Sequence, residues 1–182
     1  DRLLDQISPF ADPKKHLIIS IVSGVGIEKI KEKLGSDIPV IRAMPNTAIA
    51  IGESMTALAA GDEDKEYLPE AENIFKHLGE TIILREDLIT ASTALGSCGI
   101  AFFMRAIRAA IQGGIEIGLH SEDAKKMATQ TAKGAAMLLL QGGNHPEHEI
   151  DKVTTPLGVT ISGLNQMEHA GFSSAMIRGI VT

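Results

Sequence analysis

The stretch Leu17-Ile18-Ile19-Ser20-Ile21-Val22-Ser23-Gly24-Val25-Gly26-Ile27 decides the fold class. Leu17 to Val22 is an uninterrupted run rich in β-branched side chains, which predicts a strand covered on both faces. Gly24 and Gly26 break it. Ile27, Ile30 and Leu34 then share one helical face, and Gly35 follows as a C-cap. Strand, glycine turn and helix together open a βαβ unit. Working outward, Pro39 to Met44 reads as a second strand stopped by Pro45-Asn46, and Ser54 to Ala60 as a third. Tyr67, Leu68, Ala71, Ile74, Phe75 and Leu78 make another apolar helix face, whose start Pro69 leaves open. Thr81 to Leu84 is a last short strand. The order β-α-β-β-α-β is that of an α/β fold with helices over a mostly parallel sheet.

From Asp87 the strand signal stops. Gly99 to Leu119 is the longest apolar stretch, yet it carries Arg105, Arg108 and Glu116. Three charges there predict a helix buried in protein and no membrane span. Ser121 is expected to cap the next helix, with Glu122 and Asp123 favouring its dipole. Met127, Thr131, Ala135, Leu138 and Leu139 line its face as far as Gly142-Gly143, and a final helix is expected from about Ile161 to His169. The chain thus divides into an α/β domain, residues 1–86, and an all-helical domain, residues 87–182, with the boundary near Arg85 to Asp87.

Composition narrows the function. The 182 residues carry 17 Lys and Arg against 23 Asp and Glu, a net charge of −6, which argues against a nucleic-acid or membrane-surface binder. Aromatics make up 3% and Trp is absent, so stacking platforms for bases or sugars are not expected, whereas 18 Gly suit close helix packing or close approach of backbone to a ligand. One cysteine, Cys98, excludes an internal disulfide framework and suits a reducing cytoplasm. Asp1 to Asp5 does not resemble a signal peptide.

Several motifs read as ordinary structure. Gly24-Val25-Gly26 begins like a dinucleotide fingerprint, but Lys29 stands where the third glycine belongs, and no acidic residue ends a strand some twenty residues on. His145-Pro146-Glu147-His148-Glu149 lacks zinc-protease spacing and fits a solvated helix start, so no metal is expected. Cys98 reads as a small buried hydrophobe, and the methionines at helical spacing as core. Ser97 has no G-x-S-x-G around it. Two segments ask for more. Arg42-Ala43-Met44-Pro45-Asn46-Thr47 lies at the carboxyl end of a strand. Val153-Thr154-Thr155-Pro156-Leu157-Gly158-Val159-Thr160 is a hydroxyl-rich loop feeding a helix, with Thr160 as the expected N-cap. Free N–H groups and the helix dipole there can hold a carboxylate or phosphate, and a purely structural cap remains the alternative.

At these two segments the sequence resembles pyrroline-5-carboxylate reductase. The resemblance extends over nearly the whole chain through Ser20-Ile21-Val22-Ser23-Gly24-Val25, Arg42 to Thr47, Thr56-Ala57-Leu58, Gln130-Thr131, Gly134-Ala135-Ala136, Val153 to Pro156, Gly163-Leu164, Glu168 and Gly171-Phe172. It departs at Gly96-Ser97-Cys98-Gly99-Ile100-Ala101-Phe102, where the family usually reads S-G-S-G-P-A-Y. It departs also at Leu157, which replaces the first of two glycines after the signature Pro, and at Arg108, where Glu is common.

The resemblance implies a chain that begins inside a Rossmann-like NAD(P)-binding domain, holds its second half, and continues into a helical dimerisation domain. It implies reduction of 1-pyrroline-5-carboxylate to L-proline by NADPH or NADH, in a cytoplasmic homodimer or higher oligomer, with these residues inactive by themselves. Which of the two coenzymes is preferred stays open. The resemblance gives Thr160 the role of polarising the imine nitrogen, and Thr155, Gly158 and Val159, with Thr160, that of holding the substrate. It places Ile21, Val22, Ser23, Met44, Pro45, Asn46, Glu86 and Lys152 against the cofactor. A non-catalytic paralogue, a dimerisation module, or a related imine or β-hydroxyacid reductase would fit the same architecture.

Overall fold

Residues 2–182 are described by a computed structural model, which divides into two compact units, one ending at Ile100 and the other spanning Ala101–Thr182. The first unit is built on a four-stranded sheet: β1 Ile18–Ser20, β2 Val40–Met44, β3 Ser54–Ala60 and β4 Gly79–Ile83, lying side by side in that order. β1 runs parallel to β2 and β3 parallel to β4, while β2 and β3 are antiparallel. The antiparallel step follows from the short 3-10 turn Thr47–Ile51 that joins them, since a parallel pairing needs a long crossover. Helices α1 Arg2–Ile7, α2 Ile27–Leu34 and α3 Leu68–Lys76 complete the layers.

The three core clusters all draw on β2. Ile41 and Ala43 pack with Leu58 and with Leu68, Ala71 and Phe75 of α3. Val40 points the other way, to Ile27, Ile30 and Leu34 of α2 and to Ile38. Met44 joins Ala57, Ala59 and Ile89. The open question at Pro69 resolves simply: the residues before it form a 3-10 turn, Asp62–Tyr67, and Pro69 sits in the first turn of α3, where its missing N–H costs nothing. That 3-10 turn is tied down by Asp64, whose buried carboxylate accepts from the Val40 N–H at 3.0 Å and pairs with Lys31 Nζ at 2.8 Å. Burial alone would push the Lys31 ammonium down, but the bonds to Asp64 and Glu63 outweigh it and hold the group above its ordinary value.

One strand expectation is corrected. β1 covers three residues, all half-buried, and Ile21 and Val22 lie beyond it, 61% and 53% exposed. Among the described residues β1 pairs only with β2, so it is an edge strand and lacks the covered setting its composition suggested.

After β4 the chain forms a 3-10 turn, Glu86–Leu88, then α4 Ile89–Ser92, a π turn Thr93–Cys98, and α5 Gly99–Glu116. The continuous helical run Glu86–Glu116 is long and apolar enough to cross a membrane by length and composition alone, a test that core helices also pass. The expectation that this stretch is buried is corrected: within this chain Gly99 is the one buried residue of α5. The second unit continues with α6 Ser121–Gly142, α7 Pro146–Lys152, α8 Val159–His169 and α9 Phe172–Val181. Of its residues only Ala124 is buried, close against Gly114 of α5. Its apolar side chains face outward, including Met104 at 61%, Ile117 at 83% and Leu140 at 76% exposure.

Three further expectations are corrected here. Met104, Met127 and Met167 are exposed, not core, because within this chain their helix faces have no cover. Cys98 is exposed as well. Ser121 is the first helical residue of α6; His120, in extended backbone, holds the cap position.

Candidate functional site

The first cluster of candidate residues lies at the carboxyl ends of β1 and β2. Ser20 pairs with Arg42, so β1 and β2 end side by side, and carboxyl ends of parallel strands are where α/β sheets bind ligands. Ile21, Val22 and Ser23 leave β1 there as exposed loop, and Gly24, at φ +76°, turns the chain toward α2. Met44, Pro45 and Asn46 leave β2 at the same end. Met44 is packed, and Asn46 is buried with its polar atoms occupied. Its N–H donates to Ser54 Oγ at 3.1 Å, its Oδ1 accepts from the Ala48 N–H at 3.0 Å, and its Nδ2 donates to the Gly96 carbonyl at 3.0 Å. Ile21 to Ser23 therefore offer accessible groups, while the Met44 and Asn46 side chains shape that end from beneath.

Glu86 belongs to this cluster. Its carboxylate accepts from the Ile27 N–H, at the start of α2, over 2.7 Å, and lies 3.4 Å from Arg42 Nη1. It fills the α2 N-terminus as a capping anion would. The α2 N-terminus behind Gly24-Val25-Gly26 therefore already holds an anion of the same chain. Sequence reasoning missed Arg42 as the partner. The Arg42 side chain is only 8% exposed and its Nε finds no hydrogen-bond partner. The available signal was a charged residue inside a strand with buried neighbours on every side. Ser97 was also missed; its hydroxyl donates to the Pro45 carbonyl at 3.0 Å.

The second cluster lies in the second unit, between α7 and α8. Thr155-Pro156-Leu157-Gly158 closes through the Gly158 N–H, which donates to the Thr155 carbonyl at 2.9 Å. Pro at the second position and positive φ at the third make this a type II turn. The residue at that third position is Leu157, at φ +59°, the one non-glycine with positive φ among the described residues. A Cβ on Gly158 would lie 2.6 Å from Thr155 Oγ1 and 2.9 Å from its carbonyl oxygen, so the turn requires glycine there.

The expected N-cap is corrected by two residues. Gly158, in extended backbone, caps α8, and Thr160 is its second helical residue, with an exposed side chain. The shift helps the site. The N–H groups of Val159, Thr160 and Ile161, in the first turn, have no helical acceptors, and no acidic side chain occupies that turn. They lie at the end of the helix that the Thr155 to Gly158 turn enters, a place suited to a small carboxylate. The Gly158 N–H, by contrast, is spent on the turn. Thr154 Oγ1 donates to the Ile150 carbonyl at 2.7 Å and anchors the loop to α7. Lys152 pairs with Glu149 at 2.7 Å, and the Lys152 and Asn144 donors hold the Glu149 carboxyl below the usual range. His145 caps α7, its Nδ1 accepting from the Glu147 N–H at 3.3 Å. Among the described residues no three His, Cys, Asp or Glu side chains are grouped to hold a metal ion.

Comparison with known proteins gives this geometry its context. Residues 86–182 match the family model described as pyrroline-5-carboxylate reductase dimerisation. Two proteins of Dictyostelium discoideum, pyrroline-5-carboxylate reductases 1 and 2, are 58% and 50% identical over 100% and 92% of this chain. The chain spans 35% and 61% of their lengths. A Synechocystis pyrroline-5-carboxylate reductase is 37% identical over 99% of the chain and 67% of its own length. Among solved structures, the Coxiella burnetii enzyme superposes with a TM-score of 0.92 at 27% identity, covering 99% of this chain and 67% of that one. The Plasmodium falciparum enzyme, solved with NADP bound, gives 0.86 at 27% identity over 98% and 72%. With a family model covering more than half its residues and relatives along its whole length, the chain belongs to the pyrroline-5-carboxylate reductase family.

Proposed function

We propose that this chain serves the reduction of 1-pyrroline-5-carboxylate to L-proline. The observation that carries the reading is the α8 entry. Three unpaired N–H donors and a threonine hydroxyl stand together at a helix start free of acidic side chains, inside the segment that matches the family. A cyclic imino acid offers the complementary pair, a carboxylate and a ring nitrogen one carbon away.

The residues divide the work as follows. The N–H groups of Val159 and Thr160 receive the substrate carboxylate, helped by the α8 dipole. The Thr155 to Gly158 turn fixes the angle at which the chain enters the helix. The Thr160 hydroxyl donates to the imine nitrogen, draws electron density from the adjacent carbon and makes it more electrophilic. A nicotinamide coenzyme, when bound, supplies the hydride. With that hydride on the carbon and one proton from solvent on the nitrogen, C=N would become H–C–N–H, the two electrons coming from the coenzyme. Ile21, Val22 and Ser23, exposed past the end of β1, are suited to receive the nicotinamide, with Met44 to Asn46 shaping the same end of the sheet. The α2 N-terminus does not suit the pyrophosphate, because Glu86 caps it. NADPH is the coenzyme favoured by the NADP found in the Plasmodium enzyme. Glu86 and Lys152 are better read as residues that position their segments, since each is already paired.

The working form is a homodimer. A helical unit with a single buried residue cannot retain its outward apolar faces in water, and a second copy would cover them. The reducing cytoplasm is the setting that suits an exposed lone thiol. The test is turnover by the full-length protein that carries this chain, offered 1-pyrroline-5-carboxylate, a six-membered ring imino acid and a β-hydroxyacid with each coenzyme. Proline formation with the five-membered ring favoured supports the reading. A preference for the hydroxyacid, or no turnover from a folded dimer, overturns it.

A further inference from the structure

We propose that Ser97 is a positioning residue: with Asn46 it locks the strand-end turn Met44 to Thr47 onto the π turn Thr93–Cys98. Two hydrogen bonds cross in opposite directions between segments far apart in sequence. Ser97 Oγ donates to the Pro45 carbonyl at 3.0 Å, and Asn46 Nδ2 donates to the Gly96 carbonyl at 3.0 Å. Adjacent residues on each side exchange donor for acceptor, so the pair fixes both the separation and the rotation of the two segments.

The π turn supplies the means. A π turn widens a helix and leaves carbonyls away from their usual helical donors, so those groups need partners elsewhere. Ser92 and Thr93 hydroxyls answer the Ile89 carbonyl just before it, both at 2.8 Å, and Asn46 answers Gly96. Behind Asn46 the lock continues into the sheet. Its N–H bonds Ser54 Oγ, which lies 3.2 Å from Thr56 Oγ1, and both of these β3 residues are buried. The chain of contacts therefore runs from the middle of the sheet to the π turn through fully engaged polar groups, and satisfied networks of this kind rigidify what they hold. What they hold is the carboxyl end of β2, where β1 and β2 finish together. The link to the reaction rests on the proposed reading that this end of the sheet receives the nicotinamide. On that reading the lock keeps the floor of the coenzyme crevice in one place.

The experiment has two arms. Amide hydrogen exchange is measured on this chain as the Ser97→Ala, Ser97→Thr and Asn46→Asp variants. The reporters are Asn46, Ala48 and Ile49, whose N–H groups bond Ser54 Oγ, Asn46 Oδ1 and the Asn46 carbonyl. Loss of one neutral hydrogen bond should speed their exchange roughly three- to tenfold in Ser97→Ala. Ser97→Thr, which keeps the hydroxyl, should restore the parent rates, and α3 should not respond. Asn46→Asp keeps the acceptor for Ala48 and loses the donor to Gly96, so it should loosen the π turn while Ala48 stays protected. Unchanged exchange of the three reporters in Ser97→Ala, or of the π-turn amides in Asn46→Asp, overturns the lock. The second arm is kinetics on the full-length enzyme. Ser97→Ala should lower kcat roughly three- to tenfold, with KM for the imino acid within about twofold and rescue by Ser97→Thr. Faster exchange with an unchanged kcat overturns the claim that the lock serves the reaction. Absence of turnover in the parent enzyme instead counts against the proposed function and leaves the exchange result to judge the lock.

Discussion

Leu157→Gly should stabilise the protein, an unusual direction for a leucine deletion. Leu157 holds φ +59° at the third position of the Thr155 to Gly158 turn. An L-residue with a side chain pays about 1–2 kcal/mol for that region, from the contact of Cβ with the following carbonyl. Burial returns nothing here, because the Leu157 side chain is fully exposed. Glycine removes the strain but enlarges the unfolded ensemble, which takes back about 0.5–1 kcal/mol. The net gain is about 0.5–1 kcal/mol, or about 1–4 °C in melting temperature for a protein of this size. Gly158→Ala is the contrast. Gly158 has an ordinary φ of −71°, yet a Cβ there meets Thr155 Oγ1 at 2.6 Å and its carbonyl at 2.9 Å. The hydroxyl can rotate away and the carbonyl cannot, so this change should cost about 1–3 kcal/mol. Chemical denaturation of parent and both variants, followed by far-ultraviolet circular dichroism, reads both effects. A Leu157→Gly variant that melts more than about 2 °C below the parent would refute the argument. It would mean that the side chain is packed in the folded assembly and that burial there exceeds the backbone strain.

Other perturbations give equally directional outcomes. Asp64→Ala strips the Val40 N–H and the nearly buried Lys31 of their shared acceptor, and should cost about 3 kcal/mol in denaturant titrations. Because the folded-state pKa of Lys31 is raised, its contribution is fully present below the unfolded value of 10.5 and is lost as pH rises through the higher folded value. In the parent, melting temperature should therefore fall more steeply in that alkaline range than in Lys31→Met. Glu86→Ala uncaps α2 and leaves the Arg42 guanidinium without its counter-ion, for about 1–2 kcal/mol, while Glu86→Gln should lose less because it still accepts from the Ile27 N–H. Sedimentation equilibrium at micromolar concentration should find a dimer; a well-folded monomer would contradict the reading of the helical unit.

The sequence made the locally determined parts of this fold legible. β3 occupies Ser54–Ala60 as its pattern says, and α2 ends at Leu34 with Gly35, at φ +112°, as its cap. The overreach at β1 has a physical reason: Ile21 and Val22 belong to a β-branched run, but whether such a run is covered depends on neighbouring strands that local composition does not contain. The one- and two-residue errors at Ser121 and Thr160 arise because a cap is defined by backbone angles, and a preceding His120 or Gly158 can take the extended conformation as readily as the favoured side chain. Met104 and Met127 are of a residue type that favours burial, but the second unit leaves its apolar faces outward, and Cys98, at the end of the π turn in the first unit, is exposed as well. Of the site, the Thr155 to Thr160 loop was legible from its hydroxyl-rich composition ahead of a helix. The Glu86 cap on Ile27 and the Ser97 bond to Pro45 join residues 59 and 52 positions apart, and no local pattern announces either.

The Thr160 side chain is exposed in the first turn of α8, beside free N–H donors. The deciding measurement is steady-state kinetics of Thr160→Val against parent and Thr160→Ser in the full-length enzyme, with proline formation as the signal. Loss of one hydrogen bond that strengthens in the transition state should lower kcat roughly ten- to a thousandfold. KM should move less, because the backbone N–H groups still hold the carboxylate, and Thr160→Ser should retain most of the rate. An unchanged kcat in Thr160→Val, with the melting temperature also unchanged, would contradict the account and leave the hydroxyl without a part in the reaction.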